Sequence, residues 1–344
     1  MADGMILVID RQGVEVTADG DTLRIRDPHG GSQKTPLRLI ESVAIHGNAM
    51  VRCDVWRKLA EHNIPAALLP VRGHEQTAWL GSGLNATLPH RQAQHRTGPE
   101  LAINIARHLV ARKTANTRAL LQELSAQTEK PAWRGAPPNP TKTLERIDAT
   151  RKKLDACPDP ASLMGREGAV ANAWFGWLGD ALQPHWKFSG RNRRPPRDPL
   201  NALLSLGYSL LGSEVQQAVM LCGLDPALGF LHQQYPGRNA LVLDCMEPLR
   251  AGVDALSINL LDSVLKPEHF SSRSGEGCRL TKEGRALYYP YWAAYRSDWM
   301  VYDGRIADGE HPRTLRSQCL REVKQLRRLL RPERNESAFP HDSP

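Results

Sequence analysis

Three acids and one imidazole carry the chemistry this chain could perform: Glu167, His232, Asp244 and Glu247. His232 ends a segment punctuated by glycine and proline, Gly223-Leu-Asp-Pro-Ala-Leu-Gly-Phe-Leu-His232. The run Ala240-Leu-Val-Leu243 then reads as a strand that delivers Asp244 and Glu247 to the start of the next helix. Nitrogen and carboxylate oxygens gathered from separate elements are how proteins hold a divalent cation that must also touch phosphate.

Each of the four also has a structural role open to it. Asp159-Pro160 supplies a capping acid and a proline suited to the first helical position, so a helix starts there. Leu163, Val170, Ala171, Trp174 and Leu178 share one face of that helix, and Glu167 falls among them. A carboxylate on an apolar face must be neutralised, either by an arginine such as Arg166 or Arg191 or by a metal. A lone histidine is commonly a packed residue. Asp244 and Glu247, three apart, can be a helix cap and its reciprocal partner. Pro248 favours the first helical position, which makes Glu247 itself the cap. Whether Asp244 binds an ion or only orients a neighbour stays open at this level.

Between Glu167 and His232 runs Phe188-Ser-Gly-Arg-Asn-Arg-Arg-Pro-Pro-Arg197. Its arginines, Arg191, Arg193, Arg194 and Arg197, ride on a proline-stiffened loop and are candidates to grip phosphates bidentately, unless they are merely solvated. Lys187 and Arg285 are further candidates for the same work. Asp198-Pro199 then caps a helix whose Leu200, Leu203, Leu204 and Leu211 form a core stripe. Asn201 and Tyr208 on that helix are polar groups that need partners, and they are candidates to support the site.

The elements that must position these groups divide the chain in two. Residues 5–80 show the two-residue alternation of half-buried strands, as in Val14-Glu15-Val16-Thr17 and Leu23-Arg24-Ile25-Arg26. Asp54 is placed to cap an amphipathic helix from Val55 to His62, and a strand, Ala66–Leu69, follows Pro65. After Pro99, Leu101, Ile105 and Leu109 with Ala102, Ala106 and Val110 form an apolar helical stripe. Residues 131–140 are a rigid loop, and helical patterns dominate from there to Leu330. The expected fold is α+β: a β-rich domain over 1–90, an all-helical domain over 98–335, and a polar tail over 336–344.

Composition sets further bounds. With 344 residues and a formal net charge of +8, the chain can hold two domains and suits a polyanionic partner. Its six cysteines are scattered without a CxxC pair, which argues against a disulfide scaffold or zinc ribbon and for a reducing cytoplasm. No apolar run approaches the roughly 20 residues of a membrane helix, so no membrane partner is expected.

Several blocks resemble the CRISPR-associated integrase family, the larger catalytic subunits of the spacer-acquisition machinery. They are MGREGAVANAWF around Glu167, GRNRRPPRDPLNALLSLGYSLL, GLDPALGFLH and LVLDCMEPLR. PLRLIESVAIHG and NIPAALLPVRG near the start, and SGEGCRLTKEGRALYYPYW and TLRSQCLREVKQLRRLL near the end, are similar to that family too, so the resemblance runs over essentially the whole chain. It implies a homodimer formed chiefly through the β domain and a Mg²⁺ or Mn²⁺ site made by Glu167, His232 and Glu247, with Asp244 alongside. It also implies a small companion subunit bridging two dimers, and binding of double-stranded DNA, both protospacer and CRISPR repeat. Two departures stand out. Met246-Glu-Pro-Leu-Arg250 replaces the family's frequent Met-Glu-Glu-Phe-Arg, and no tyrosine precedes Tyr208, although some members wedge a DNA fork with a tyrosine of the β domain.

The chemistry so implied is metal-assisted transesterification of DNA, with plain nicking where water replaces the attacking 3′-hydroxyl. The alternatives are a metal-dependent nuclease of branched DNA that never joins ends, and a non-catalytic DNA-binding architectural subunit.

Overall fold

The computed structural model describes residues 5–9, 13–28, 30–46, 48–62, 64, 66–69, 78–80, 88–127, 132–273, 275–299 and 314–330. The expected tail over 336–344 lies outside them. The fold is mixed α+β, with sheets first and helices after.

The first part holds β1 (Met5–Ile9), β2 (Glu15–Asp19), β3 (Thr22–Arg26), β4 (Ser32–Pro36), β5 (Ile40–His46), β6 (Met50–Val51), α1 (Cys53–Glu61), β7 (Ala66–Leu69) and β8 (Ala78–Leu80). One sheet has the order β1-β5-β7-β8, parallel except for β8. The other, β4-β3-β2-β6, is an antiparallel meander closed by β6 running parallel to β2. The sequence alternation decides which side chains enter the core: Val14, Val16, Leu23 and Ile25 join Leu7, Ile9, Val43 and Ile45 beneath Val55 and Leu59 of α1. Asp54 does not cap α1. Arg52 is the N-cap, and Asp54 sits in the first turn, accepting from the Val55 amide at 2.9 Å.

The second part comprises α2 (Leu88–His95), α3 (Pro99–Ser125), α4 (Thr141–Arg151), α5 (Pro160–Ala181), α6 (Pro199–Leu221), α7 (Ala240–Met246) and α8 (Arg250–Ser263). These are followed by β9 (Phe270–Arg273), β10 (Gly277–Leu280), α9 (Lys282–Ser297) and α10 (Leu315–Leu329). An all-helical domain was expected; the antiparallel ribbon β9–β10 corrects that. Helix α6 is the hub. Leu200, Leu203, Leu204, Leu211, Val215 and Ala218 are all buried in it, and each leucine so placed contributes about 2 kcal/mol of hydrophobic stabilisation. Ala44 of β5 and Ala67 of β7 belong to the same apolar cluster, so the first sheet packs directly on the helices.

Candidate active site

The loop between α6 and α7 is built to present His232. Gly223, at φ +78°, ends α6 in the left-handed conformation that lets the Leu224 amide reach back to the Val219 carbonyl at 3.1 Å. The chain then folds over the Asp244 carboxylate, which is wholly buried. Asp244 Oδ2 accepts from the Phe230 amide at 2.5 Å and the Leu231 amide at 3.0 Å. Its Oδ1 accepts from the His232 amide at 2.9 Å and from His232 Nδ1 at 2.7 Å. Gly229 makes this approach feasible, since a Cβ there would lie 2.9 Å from Asp244 Oδ2 and 2.8 Å from Ala240. The Nδ1 contact leaves Nε2 as the ring nitrogen turned away from Asp244. Asp244 therefore holds the imidazole in its orientation.

The expected strand Ala240-Leu-Val-Leu243 is the helix α7. A short 3-10 turn, Glu247–Leu249, joins it to α8 almost without a break, and Glu247 has helical angles of φ −55° and ψ −45°. Glu247 is thus not the helix cap that Pro248 suggested; it projects sideways from a helical path. The Pro248 carbonyl accepts from Asn116 Nδ2 on α3 at 2.6 Å, which pins this turn against α3. The misreading arises because four consecutive apolar residues carry no period.

Glu167 on α5 does not pair with Arg166 or Arg191. Its partner is Lys113 of α3, and the same ammonium lies 2.5 Å from Glu247 Oε2. The Lys113 ammonium thus bridges the two carboxylates and neutralises Glu247 Oε2 where it is buried. Glu247 Oε1 accepts from Arg250 Nε at 2.9 Å and lies 3.9 Å from His232 Nε2. Burial alone would raise the Glu247 pKa, but Arg250 and Lys113 overcome it and hold the group at about 2. Arg250 is raised in return by Glu247 against the opposing effect of burial.

Behind these groups lies a second polar layer. The Tyr208 ring has the Arg250 guanidinium 4.7 Å and the Arg191 guanidinium 5.6 Å from its centroid. Its hydroxyl donates to Asp254 Oδ1 at 2.5 Å, and Trp174 Nε1 donates to Asp254 Oδ2 at 3.0 Å. Burial raises the Asp254 pKa despite both hydrogen bonds, and burial together with Asp254 pushes the Tyr208 phenol well up. Tyr208 thus supports Arg250 from behind and stays a neutral donor.

The basic loop divides by orientation. Arg191 turns inward, donating to Asn201 Oδ1 at 2.7 Å, and burial lowers its pKa. Asn201 also receives the Asn192 amide and donates to the Gly190 carbonyl and to Asp198, so it latches the loop onto the start of α6. Arg193, Arg194, Arg197 and Lys187 are exposed. Arg285 is half-buried and spends one nitrogen on the Leu280 carbonyl at 3.0 Å. The ribbon braces the loop from outside: the Cys278 amide donates to the Pro196 carbonyl at 2.7 Å. A Cβ on Gly277, at φ +79°, would meet that carbonyl oxygen at 2.5 Å.

The structure therefore brings Glu167, His232 and Glu247 together, with Asp244 behind the imidazole. It closes the carboxylates on Lys113: among the described residues no three His, Cys, Asp or Glu side chains are drawn in as an ion's ligand shell. The donor chemistry nevertheless fits a hard divalent cation. Two carboxylates already share one positive charge, and an imidazole nitrogen lies 3.9 Å from one of them. Sequence reasoning missed Lys113, Arg250 and Asp254. The signal for Lys113 was present, since it falls between Leu109 and Asn116-Thr117 on the buried face of α3.

Sheets leading into a helical body that holds paired acids and a histidine define the class of fold, and comparison with known proteins identifies it. The family described as CRISPR associated protein Cas1 matches residues 7–294, and the chain belongs to that family. A Rhodospirillum rubrum protein named CRISPR-associated endonuclease Cas1 2 is 33% identical over 292 residues, covering 83% of this chain and 84% of that one. A Geobacter sulfurreducens Cas4 exonuclease/Cas1 endonuclease fusion is also 33% identical over 83% of this chain, which spans 52% of the fusion's length. The structure of a casposase bound to integration product superposes with a TM-score of 0.80 at 22% identity, covering 94% of this chain and 90% of the casposase chain. Among the described residues no helix is long and apolar enough to cross a membrane.

Proposed function

We propose that this chain is a divalent-metal-dependent DNA endonuclease and integrase of CRISPR adaptation, joining 3′-hydroxyl ends of short duplexes to a CRISPR array. The observation that supports this reading is the meeting of Glu167 and Glu247, from separate elements, on the Lys113 ammonium, with His232 Nε2 3.9 Å from Glu247 Oε1. Glu167, Glu247 and His232 would hold the ion, Mg²⁺ or Mn²⁺. Once bound, the ion neutralises charge building on the phosphoryl oxygens during in-line displacement.

The protein's own groups do the rest. Asp244 holds the His232 ring in place with Nε2 toward Glu247, and Arg250 keeps Glu247 ionised. Arg193, Arg194 and Arg197 bind the strand backbone, while Arg191 and Asn201 hold their loop in shape. The incoming 3′-oxygen forms a bond to phosphorus as the target's own P–O bond breaks, so no protein nucleophile and no nucleotide cofactor are required. Homodimerisation and a small bridging companion subunit complete the proposed assembly.

The test is strand transfer of a labelled short duplex into supercoiled plasmid, with and without EDTA, for the wild type and Glu167→Gln. Joined product is expected only from wild type with metal, and is lost when the 3′ end is blocked while nicking persists. A nuclease that never joins ends would nick without joining. An architectural subunit would do neither, and Glu167→Gln would then lower only its melting temperature.

A further inference from the structure

We infer that Gln94 of α2 is a positioning residue for His232, anchoring the beginning of the segment whose end is held by Asp244. This deepens the functional reading above and rests on it for what the histidine does.

Gln94 lies on α2 between the exposed residues Gln92 and His95, yet it is itself buried at 3% exposure. Its amide is fully used. Oε1 accepts from the Asp225 amide at 2.8 Å, and Nε2 donates to the Asp225 carbonyl at 3.0 Å and to the Leu228 carbonyl at 2.7 Å. Reversing the side chain would set its nitrogen against an N–H and its oxygen against two carbonyls, so the network fixes one orientation. The anchored stretch is tied down in turn. Asp225 Oδ1 accepts from the Ala227 amide at 2.8 Å, and the Pro226 carbonyl accepts from the Leu241 amide of α7 at 2.9 Å. Just past Leu228, the amides of Phe230, Leu231 and His232 meet Asp244. Asp244 fixes the histidine relative to α7. Gln94 supplies a second reference, because α2 leads through residues 96–98 into α3, which carries Lys113. The glutamine thereby sets His232 in register with the ammonium that joins Glu167 to Glu247. An apolar side chain would fill the same space but leave a backbone amide without its acceptor and two carbonyls without this donor.

The experiment compares the full chain with Gln94→Leu, and with Gln92→Leu as the exposed control on the same helix. Amide hydrogen exchange is measured in EDTA, and the affinities for Mn²⁺ and for a short duplex by titration. Gln94→Leu is expected to speed exchange of the Phe230, Leu231 and His232 amides about tenfold. It is also expected to weaken Mn²⁺ binding about tenfold while DNA affinity in EDTA stays unchanged. Gln92→Leu is expected to change none of these. Gln94→Asn, shorter by a methylene, is expected to show the same pattern at smaller amplitude, and it carries the test if the leucine variant does not fold. Faster exchange confined to Asp225–Leu228, or a lower Tm with the 230–232 amides and Mn²⁺ affinity as in wild type, would make Gln94 a residue of the fold only and overturn the inference. The exchange readout needs no catalysis: if wild type joins no DNA but the 230–232 amides respond, the functional reading fails and the anchor stands. If wild type joins DNA and Gln94→Leu matches it in exchange and Mn²⁺ affinity, the anchor alone fails.

Discussion

Replacing Lys113 by methionine keeps most of the side chain's volume and removes its ammonium. Glu167 and Glu247 would then face each other without the charge that joins them, Glu247 at a side-chain exposure of only 3%. Removing one partner of a buried ion pair costs about 3–5 kcal/mol. Arg250 still holds Glu247 through a 2.9 Å contact, and the Glu167 side chain is 22% exposed and can reach water. The lower end, about 3 kcal/mol, is therefore expected, and in a chain of this length that lowers Tm by about 4 °C. The assay is thermal unfolding in EDTA, followed by a Mn²⁺ titration. A divalent ion must displace the Lys113 ammonium in wild type but not in the variant. Mn²⁺ at roughly 100 times its Kd adds about 2.7 kcal/mol, so Lys113→Met should recover most of its loss, while wild type gains less. Adding Glu167→Gln to the variant should shrink the recovery. If Lys113→Met melts with wild type in EDTA, or Mn²⁺ raises both proteins equally, the two carboxylates do not form one cation site.

The Glu247 pKa lies below the ordinary 4.5, at about 2, so folding favours its ionised form. The stability it contributes is complete above about pH 4.5 and is lost as pH falls toward about 2. The gap in unfolding free energy between wild type and Glu247→Gln should accordingly narrow by roughly 3 kcal/mol over that window, as followed by urea denaturation. Asp244→Asn should cost about 3 kcal/mol or more by the same measurement, because an amide nitrogen cannot accept from the Phe230 and Leu231 amides. Replacing Arg193, Arg194 and Arg197 together with alanine should reduce the slope of log Kd against log salt by about 3. Arg191→Ala should instead lower Tm and leave that slope nearly unchanged, since its guanidinium is committed to Asn201.

Much of this was legible before any coordinates. Strict alternation at Val14-Val16 and Leu23-Ile25 named the inward side chains of the first core, because a strand has only two faces. Asp159-Pro160 and Asp198-Pro199 marked the starts of α5 and α6, and both acids accept from the backbone amide three residues on. Ala240–Leu243 was misread because four apolar residues in a row lack periodicity in either conformation. The ribbon β9–β10 went unforeseen in a segment bounded by helices: the strands are four residues each, too short to establish an alternation. At the site, acids and imidazole could be picked by type. The cation between the acids could not, because Lys113 is 54 residues from Glu167 and no local pattern records which helix faces lie opposite one another.

The bracing of the arginine loop reaches beyond stability. With Asn201 latching it from within and Cys278 and Gly277 pressed on it from without, its shape is settled when the protein folds. The entropy of arranging these cations is lost at folding and not at encounter, so backbone order adds little to the barrier for capture. A fixed cationic template cannot mould itself to a partner's contour. Any mismatch in curvature must be absorbed by the nucleic acid, and sequences that bend or unstack most readily are the ones such a surface would retain longest.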